Sequence, residues 1–195
     1  MYGLKIPKTQ QPEKTPYTMY NQPPVKGDYL QFVSIDPALK NLALRVERRY
    51  NDGRVICLYS QKYSPMETIN QLYHNITVLL DNQQEYYKDT HYVIIERQLP
   101  QNYLATRVMQ HLISYFLLKQ CCVVEIDPKL KGRMLDAPKG IGERQLKKWA
   151  VEKAIEIATQ RGDDYTLNLL KKNKKKDDLA DVLCQIEAFC LYNKL

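Results

Sequence analysis

The sequence predicts an α/β domain built on a mixed sheet flanked by helices, and three observations carry that prediction. Three strand-like runs follow one another between Phe32 and Tyr59. Beyond them, strand-like runs alternate with stretches of helical periodicity. Acids close two of the strands and recur on the last helix, at Asp36, Glu96, Asp178 and Asp181.

At 195 residues the chain fits one domain with a core of its own. A formal net charge of +7 suits a polyanionic partner. The 5 cysteines, an odd number that includes adjacent Cys121 and Cys122, sit mostly in apolar runs without metal-ligand spacing. They read as reduced core thiols of an intracellular protein, and with only 3 scattered histidines they argue against a zinc site. No apolar run approaches the length of a membrane span, and no secretory signal is evident.

Residues 1–29 hold prolines and tyrosines without periodicity, so an extended arm is expected there. No arginine precedes Arg45, which argues against a mitochondrial transit peptide. Lys5, Lys8, Lys14 and Lys26 make the arm either a passive tail or a DNA contact. The domain itself is expected over residues 30–195.

Phe32, Val33 and Ile35 form a short apolar run suited to a buried strand. Asp36 arrives at its end and Pro37 stops the ladder by removing a backbone donor. An acid there is costly to desolvate and needs a compensating partner such as a cation, unless it simply opens a turn. Leu42, Leu44 and Val46 alternate with Asn41, Ala43 and Arg45, which predicts a second strand with one buried face. Asn51-Asp52-Gly53 reads as a hairpin turn into a third strand at Val55–Tyr59.

Ile69, Leu72, Tyr73, Ile76, Leu79 and Leu80 recur at helical spacing and predict a helix from about Met66 to Tyr86. Tyr92–Ile95 is a continuous apolar run, as in a strand buried on both faces, and it ends in Glu96. A helix from about Tyr103 to Lys119 is apolar over most of its circumference. Such a helix is buried either wholly in one core or partly against a second subunit, with Ile113, Phe116 and Leu117 as the surplus face. Cys122–Ile126 supplies the fifth strand.

Lys129, Lys131, Arg133, Lys139, Arg144, Lys147 and Lys148 crowd a stretch broken by glycines and Pro138, which predicts a basic loop suited to phosphate contact. From about Glu143 a helix runs to Arg161, with Gly162 as its C-terminal cap. A final helix starts near Asp177, after a lysine run that includes Lys174 and Lys175. Asp177 is placed to act as a cap. Asp178 and Asp181, three apart on one face, repel unless a divalent cation sits between them.

Ser34-Ile35-Asp36-Pro37 with Asn41, Ile94-Ile95-Glu96-Arg97-Gln98, and Lys175-Lys176-Asp177-Asp178-Leu179-Ala180-Asp181 occur in that order on those elements. Together they resemble the ribonuclease H-like fold, and more narrowly the RuvC-type Holliday junction resolvases of poxviruses and other large DNA viruses. The fungal mitochondrial resolvases are similar too. The resemblance implies a five-stranded mixed sheet and a homodimeric, Mg²⁺-dependent endonuclease, with Mn²⁺ as a substitute, that nicks two strands of a four-way DNA junction during recombination or repair. It implies that Asp36, Glu96, Asp178 and Asp181 hold two metal ions, and it maps the family's active-site basic residue onto Lys147 or Lys148. Lys129, Lys131, Arg133, Lys139, Arg144, Lys174 and Lys175 are the expected DNA contacts. A viral protein of this kind would work in the host cytoplasm or nucleus. Pro37-Ala38 departs from the glycine many relatives carry. A nuclease for flaps, RNA–DNA hybrids or transposon ends, or a non-catalytic DNA-binding subunit, is the alternative.

Overall fold

A computed structural model describes residues 15–25 and 27–195. Its strands are β1 (Tyr17–Tyr20), β2 (Tyr29–Asp36), β3 (Leu42–Tyr50), β4 (Val55–Tyr63), β5 (Tyr92–Glu96) and β6 (Cys122–Ile126). They form one sheet in the order β1-β6-β5-β2-β3-β4. β2, β3 and β4 are antiparallel neighbours, joined by short turns, whereas β5 and β6 run parallel to β2 after helical crossovers. The hairpin between β3 and β4 turns at Gly53, whose φ of +88° suits a residue without a Cβ.

Among the described residues the sheet has six strands, not five. The additional strand, β1, lies within the stretch expected to be an arm and pairs antiparallel with β6 from Tyr17↔Ile126 to Tyr20↔Val123. Tyr17 packs edge-on against Phe189 and Tyr192, anchoring the strand where local apolar periodicity is weak. Tyr20 Oη donates to Glu125 Oε2 at 3.0 Å. Lys5, Lys8, Lys14 and Lys26 lie outside the described residues.

The helices of the described residues are α1 (Leu72–Asn82), α2 (Gln84–Tyr87), α3 (Tyr103–Leu118), α4 (Leu130–Met134), α5 (Glu143–Arg161), α6 (Asp164–Lys172) and α7 (Asp177–Asn193). The single helix expected over Met66–Tyr86 is shorter and divided at Gln83. The strand alternation sorts the core into two layers. Val33, Ile35, Leu44, Val93 and Ile95 face α1 and α3. Phe32, Tyr92, Ile94, Val124 and Ile126 face α5 and α7. Phe116 and Ile113 of α3 are buried in the first layer. They are therefore not the surplus face of that helix, which instead exposes Tyr103, Arg107, Gln110, Ser114 and Leu118.

β3 is buried on both faces rather than one. Ala43, Arg45 and Glu47 are as inaccessible as Leu42 and Leu44, because α7 and α6 cover their side of the sheet. Buried charge must be paired, and here it is. Arg45 Nε lies 2.8 Å from Glu47 Oε2, and its Nη2 lies 3.1 Å from Asp163 Oδ2. Arg49 bridges Glu47 and Glu187 at 2.7 Å each, and Arg161 closes the circuit onto the same two acids. Burial alone would raise the Glu47 pKa, but Arg49, Arg45 and Arg161 outweigh it and hold the carboxyl at about 2. This network ties β3 to α5, α6 and α7 and so fixes the helix that carries Asp178 and Asp181.

Candidate active site

Ile35 pairs with Ile95 across the parallel β2–β5 ladder. The next residue of each strand, Asp36 and Glu96, therefore ends at the same sheet edge and points to the same face. That face carries α7, which contacts β2, β3, β4 and β5. Leu179, Val182, Leu183 and Ile186 bury α7, and the acids at Asp178 and Asp181 are left at its first turns, over the strand ends. Acidic residues at a helix N-terminus are favoured by the dipole. Asp177 is the first residue of the helix, with Lys176 before it as the cap.

Lys131 joins this group from α4. Its ammonium lies 3.0 Å from Glu96 Oε2 and 2.8 Å from Asp181 Oδ1, with the side chain only 12% exposed. By local pattern it is one of several loop lysines for DNA, whereas the structure places it among the acids. Burial disfavours its charge, but Glu96 and Asp181 outweigh that and hold its pKa above the ordinary lysine value. Lys147 and Lys148 contact none of the four acids. Lys147 pairs with Glu143 at 2.9 Å and Lys148 with Glu152 at 3.6 Å, both as exposed helix pairs.

Crowded carboxylates are hard to ionise together. Burial, then Glu96 and Asp181, push the Asp36 pKa well above the ordinary carboxylate range, with Lys131 opposing. Glu96 is raised by burial, a rise that Lys131 opposes and Asp181 reinforces. Asp178 is raised by burial and by Asp177. Its Oδ2 is buried without a hydrogen-bond partner, although Lys62 Nζ stands 3.6 Å away and Lys175 Nζ 3.8 Å away. Lys62 carried no sequence signal, since the apolar run that predicts its strand ends at Tyr59 and only the structure extends that strand to Tyr63.

A donor set of carboxylates alone, with an orphaned buried oxygen, fits a hard divalent cation. As they stand, no three such groups among the described residues converge closely enough to hold one, the Lys131 ammonium taking the place between Glu96 and Asp181. Beside the acids opens a cleft of about 890 Å³, lined by Glu96 and Asp181 together with Lys129, Arg133, Lys139 and Lys147. Arg144 is exposed but outside that lining, and so are Lys174 and Lys175, just before α7.

The buried thiols take no part. Cys184 and Cys190 are pushed up to about 12 by burial, and all five cysteines are free. Among the described residues no helix is long and apolar enough to cross a membrane.

No family model matches the chain. It is 28% identical over 142 residues to the uncharacterized protein 170L of Invertebrate iridescent virus 6, covering 60% of this chain and 57% of that protein. It is 30% identical over 131 residues to protein 97L of Invertebrate iridescent virus 3, covering 66% of this chain and 62% of that one. Each match thus spans less than two thirds of the viral protein. Among solved structures, the chain superposes on T. thermophilus RuvC in complex with a Holliday junction substrate with a TM-score of 0.62 at 17% identity, covering 85% of this chain and 96% of that one. It superposes on the yeast mitochondrial Holliday junction resolvase Ydc2 with a TM-score of 0.63 at 12% identity, covering 84% and 80% of the two chains. The chain has the ribonuclease H-like fold of the RuvC type.

Proposed function

We propose that this protein is a divalent-metal-dependent endonuclease that resolves four-way DNA junctions by paired symmetric nicks. One observation carries the reading. Asp36, Glu96, Asp178 and Asp181, drawn from two strands and a helix far apart in sequence, gather at one sheet edge beside a cleft rimmed by basic side chains. Stability does not favour such a cluster, since burial and mutual repulsion raise three of the four carboxyls. Carboxyls strongly perturbed by burial and by one another, beside a cleft, point to a functional site. The solved structure of RuvC with a Holliday junction supports a branched-DNA substrate.

Asp36, Glu96, Asp178 and Asp181 would hold Mg²⁺, or Mn²⁺ in its place, which supplies an activated water and charge neutralisation at the phosphate. Lys131 is the basic residue for this site, in place of Lys147 or Lys148. Its ammonium already lies within hydrogen-bond reach of two of the acids, and near the scissile phosphate it would offset developing negative charge. Lys129, Arg133, Lys139 and Lys147 position one stretch of phosphate backbone along the cleft. Lys174 and Lys175, exposed just before α7, supply further phosphate contacts.

Two symmetric nicks need two active sites, so the working unit is a C₂ dimer. The matches to two iridescent virus proteins support a viral protein, and as a resolvase it would meet its junctions in host cytoplasm or nucleus. The deciding experiment incubates purified protein with a labelled four-way junction, a flap and a duplex, with and without Mg²⁺. Symmetric, Mg²⁺-dependent nicking of the junction alone is expected. Equal cutting of flap and duplex would make this a general nuclease, and no cutting at any metal concentration would make it a DNA-binding subunit.

A further inference from the structure

Asp36 pairs with Ala43 across the β2–β3 ladder, and Ala43 pairs with Lys62 across β3–β4. The three residues form one row of the sheet, so their side chains leave the same face, the one covered by α7. Between acid and lysine stands the smallest side chain that has a Cβ. Ala43 is fully buried and leaves the lysine stem a path across β3 toward the acids.

β4 is an edge strand, and a lysine on such a strand usually guards it by staying in solvent. Lys62 does not. Its side chain is 19% exposed, and its ammonium donates to the Lys175 carbonyl at 2.7 Å while standing 3.6 Å from Asp178 Oδ2. The shorter contact is a hydrogen bond and the longer one is only an ion pair. The bond is therefore made to the backbone of the turn before α7. That turn is pinned a second time from the β2–β3 loop, where the Asn41 amide oxygen, suitably oriented, accepts from Lys175 Nζ at 2.8 Å.

We infer that Lys62 is a positioning residue for the acid cluster, tying the Asn173–Lys176 turn to the sheet and so fixing where Asp178 stands relative to Asp36. The inference rests on the nuclease reading for its catalytic consequence but not for its structural one. The sheet and α7 bring these acids together, and the turn before α7 is otherwise a run of lysines that repel one another. A small displacement of Asp178 is enough to matter, because a misplacement of about 1 Å at a reacting centre costs on the order of 100-fold in rate.

The test compares Lys62→Met, which keeps the stem and loses charge and donors, with Lys62→Arg, which keeps both. Hydrogen exchange by mass spectrometry on the metal-free protein reads the structural half. Single-turnover nicking of a prebound four-way junction at saturating Mg²⁺ reads the catalytic half. Lys62→Met is expected to lose amide protection in the first turns of α7, beginning at Ala180, whose N–H donates to the Lys176 carbonyl of the turn, and not elsewhere, and to slow nicking by about 10- to 100-fold without weakening junction binding to match. Lys62→Arg is expected to restore most of both. Unchanged protection in Lys62→Met overturns the inference, whatever happens to the rate, because a lysine that merely touches DNA would not order the free turn. Unchanged nicking with lost protection overturns its catalytic half. If the unmutated protein nicks no DNA, the nuclease reading fails on its own, and exchange at the turn still decides what Lys62 does. Should Lys62→Met fail to fold, Lys62→Gln poses the same question.

Discussion

Lys131 Nζ lies 2.8 Å from Asp181 Oδ1, joining the short helix after β6 to the last helix of the chain. The pairing brings a cation from a basic loop into a group of acids that repel one another. Replacing Lys131 with Met should slow junction nicking by about 100- to 1,000-fold, the cost of removing one charge-stabilising group from an active site. Lys148→Met, at an exposed pair with Glu152, should change the rate less than about threefold, as surface pairs contribute little. Single-turnover rates for the two variants make the comparison, and equal losses would return the role to α5.

Asp36→Asn should abolish nicking and at the same time stabilise the metal-free protein. The sign follows from the raised Asp36 pKa. A carboxyl that binds its proton more tightly folded than unfolded disfavours folding once the pH exceeds its ordinary value, and a neutral amide removes that cost. Thermal melts in chelator near pH 7.5 should show the midpoint rising, by about 2–4 °C for each kcal/mol relieved. A lower midpoint would mean that the Asp36 carboxylate is satisfied by the protein itself.

Glu47→Gln should act in the opposite sense. Its carboxyl is held at about 2, so the stability it contributes is fully present above its ordinary value near 4.5 and is lost as the pH falls toward 2. Breaking the network at this buried acid should cost on the order of 3–5 kcal/mol at neutral pH, because Arg45 then keeps its charge in the core without its nearest partner. Urea melts from pH 2 to pH 7 should show a weaker acid dependence in the variant than in the parent.

Junction binding should weaken steeply with salt, since each neutralised phosphate releases counterions. Removing Lys129, Arg133 and Lys139 together, all on the cleft lining, should reduce the slope of log K against log salt by about 0.9 for each phosphate that is no longer neutralised. Lys131 is left out of this set because its charge is committed to Glu96 and Asp181. Fluorescence anisotropy in Ca²⁺ would measure the slope, and an unchanged value would make the loop a solvated surface.

Dimerisation should depend on the exposed stripe of α3 rather than on its buried one. Leu118 is 85% exposed and Tyr103 is 63% exposed, while Phe116 is 1% exposed. Leu118→Glu should therefore give a folded monomer by light scattering, whereas Phe116→Glu should unfold the protein by placing an unpaired charge in the core. A Leu118→Glu protein that remains dimeric would move the seam to another face.

The elements legible in the sequence are those that local pattern can encode. Alternation and apolar runs mark β2 to β6, Asn51–Gly53 marks the hairpin and Gly162 the end of α5, and the same pattern places Asp36, Glu96, Asp178 and Asp181 at strand ends and on a helix start. What covers each of them depends on the tertiary structure. β1 has too few residues for a periodic signal and exists because β6 offers an edge and α7 an aromatic surface. Arg45 and Glu47 read as an exposed face until α6 and α7 bury them in a network that joins Arg45 to Asp163 and Thr166, far along the chain. Lys131 and Lys62 are indistinguishable in sequence from the other lysines of a basic chain. Charge carries no periodicity, so which of them enters the acid cluster is set by the sheet register and by where α4 and α7 meet.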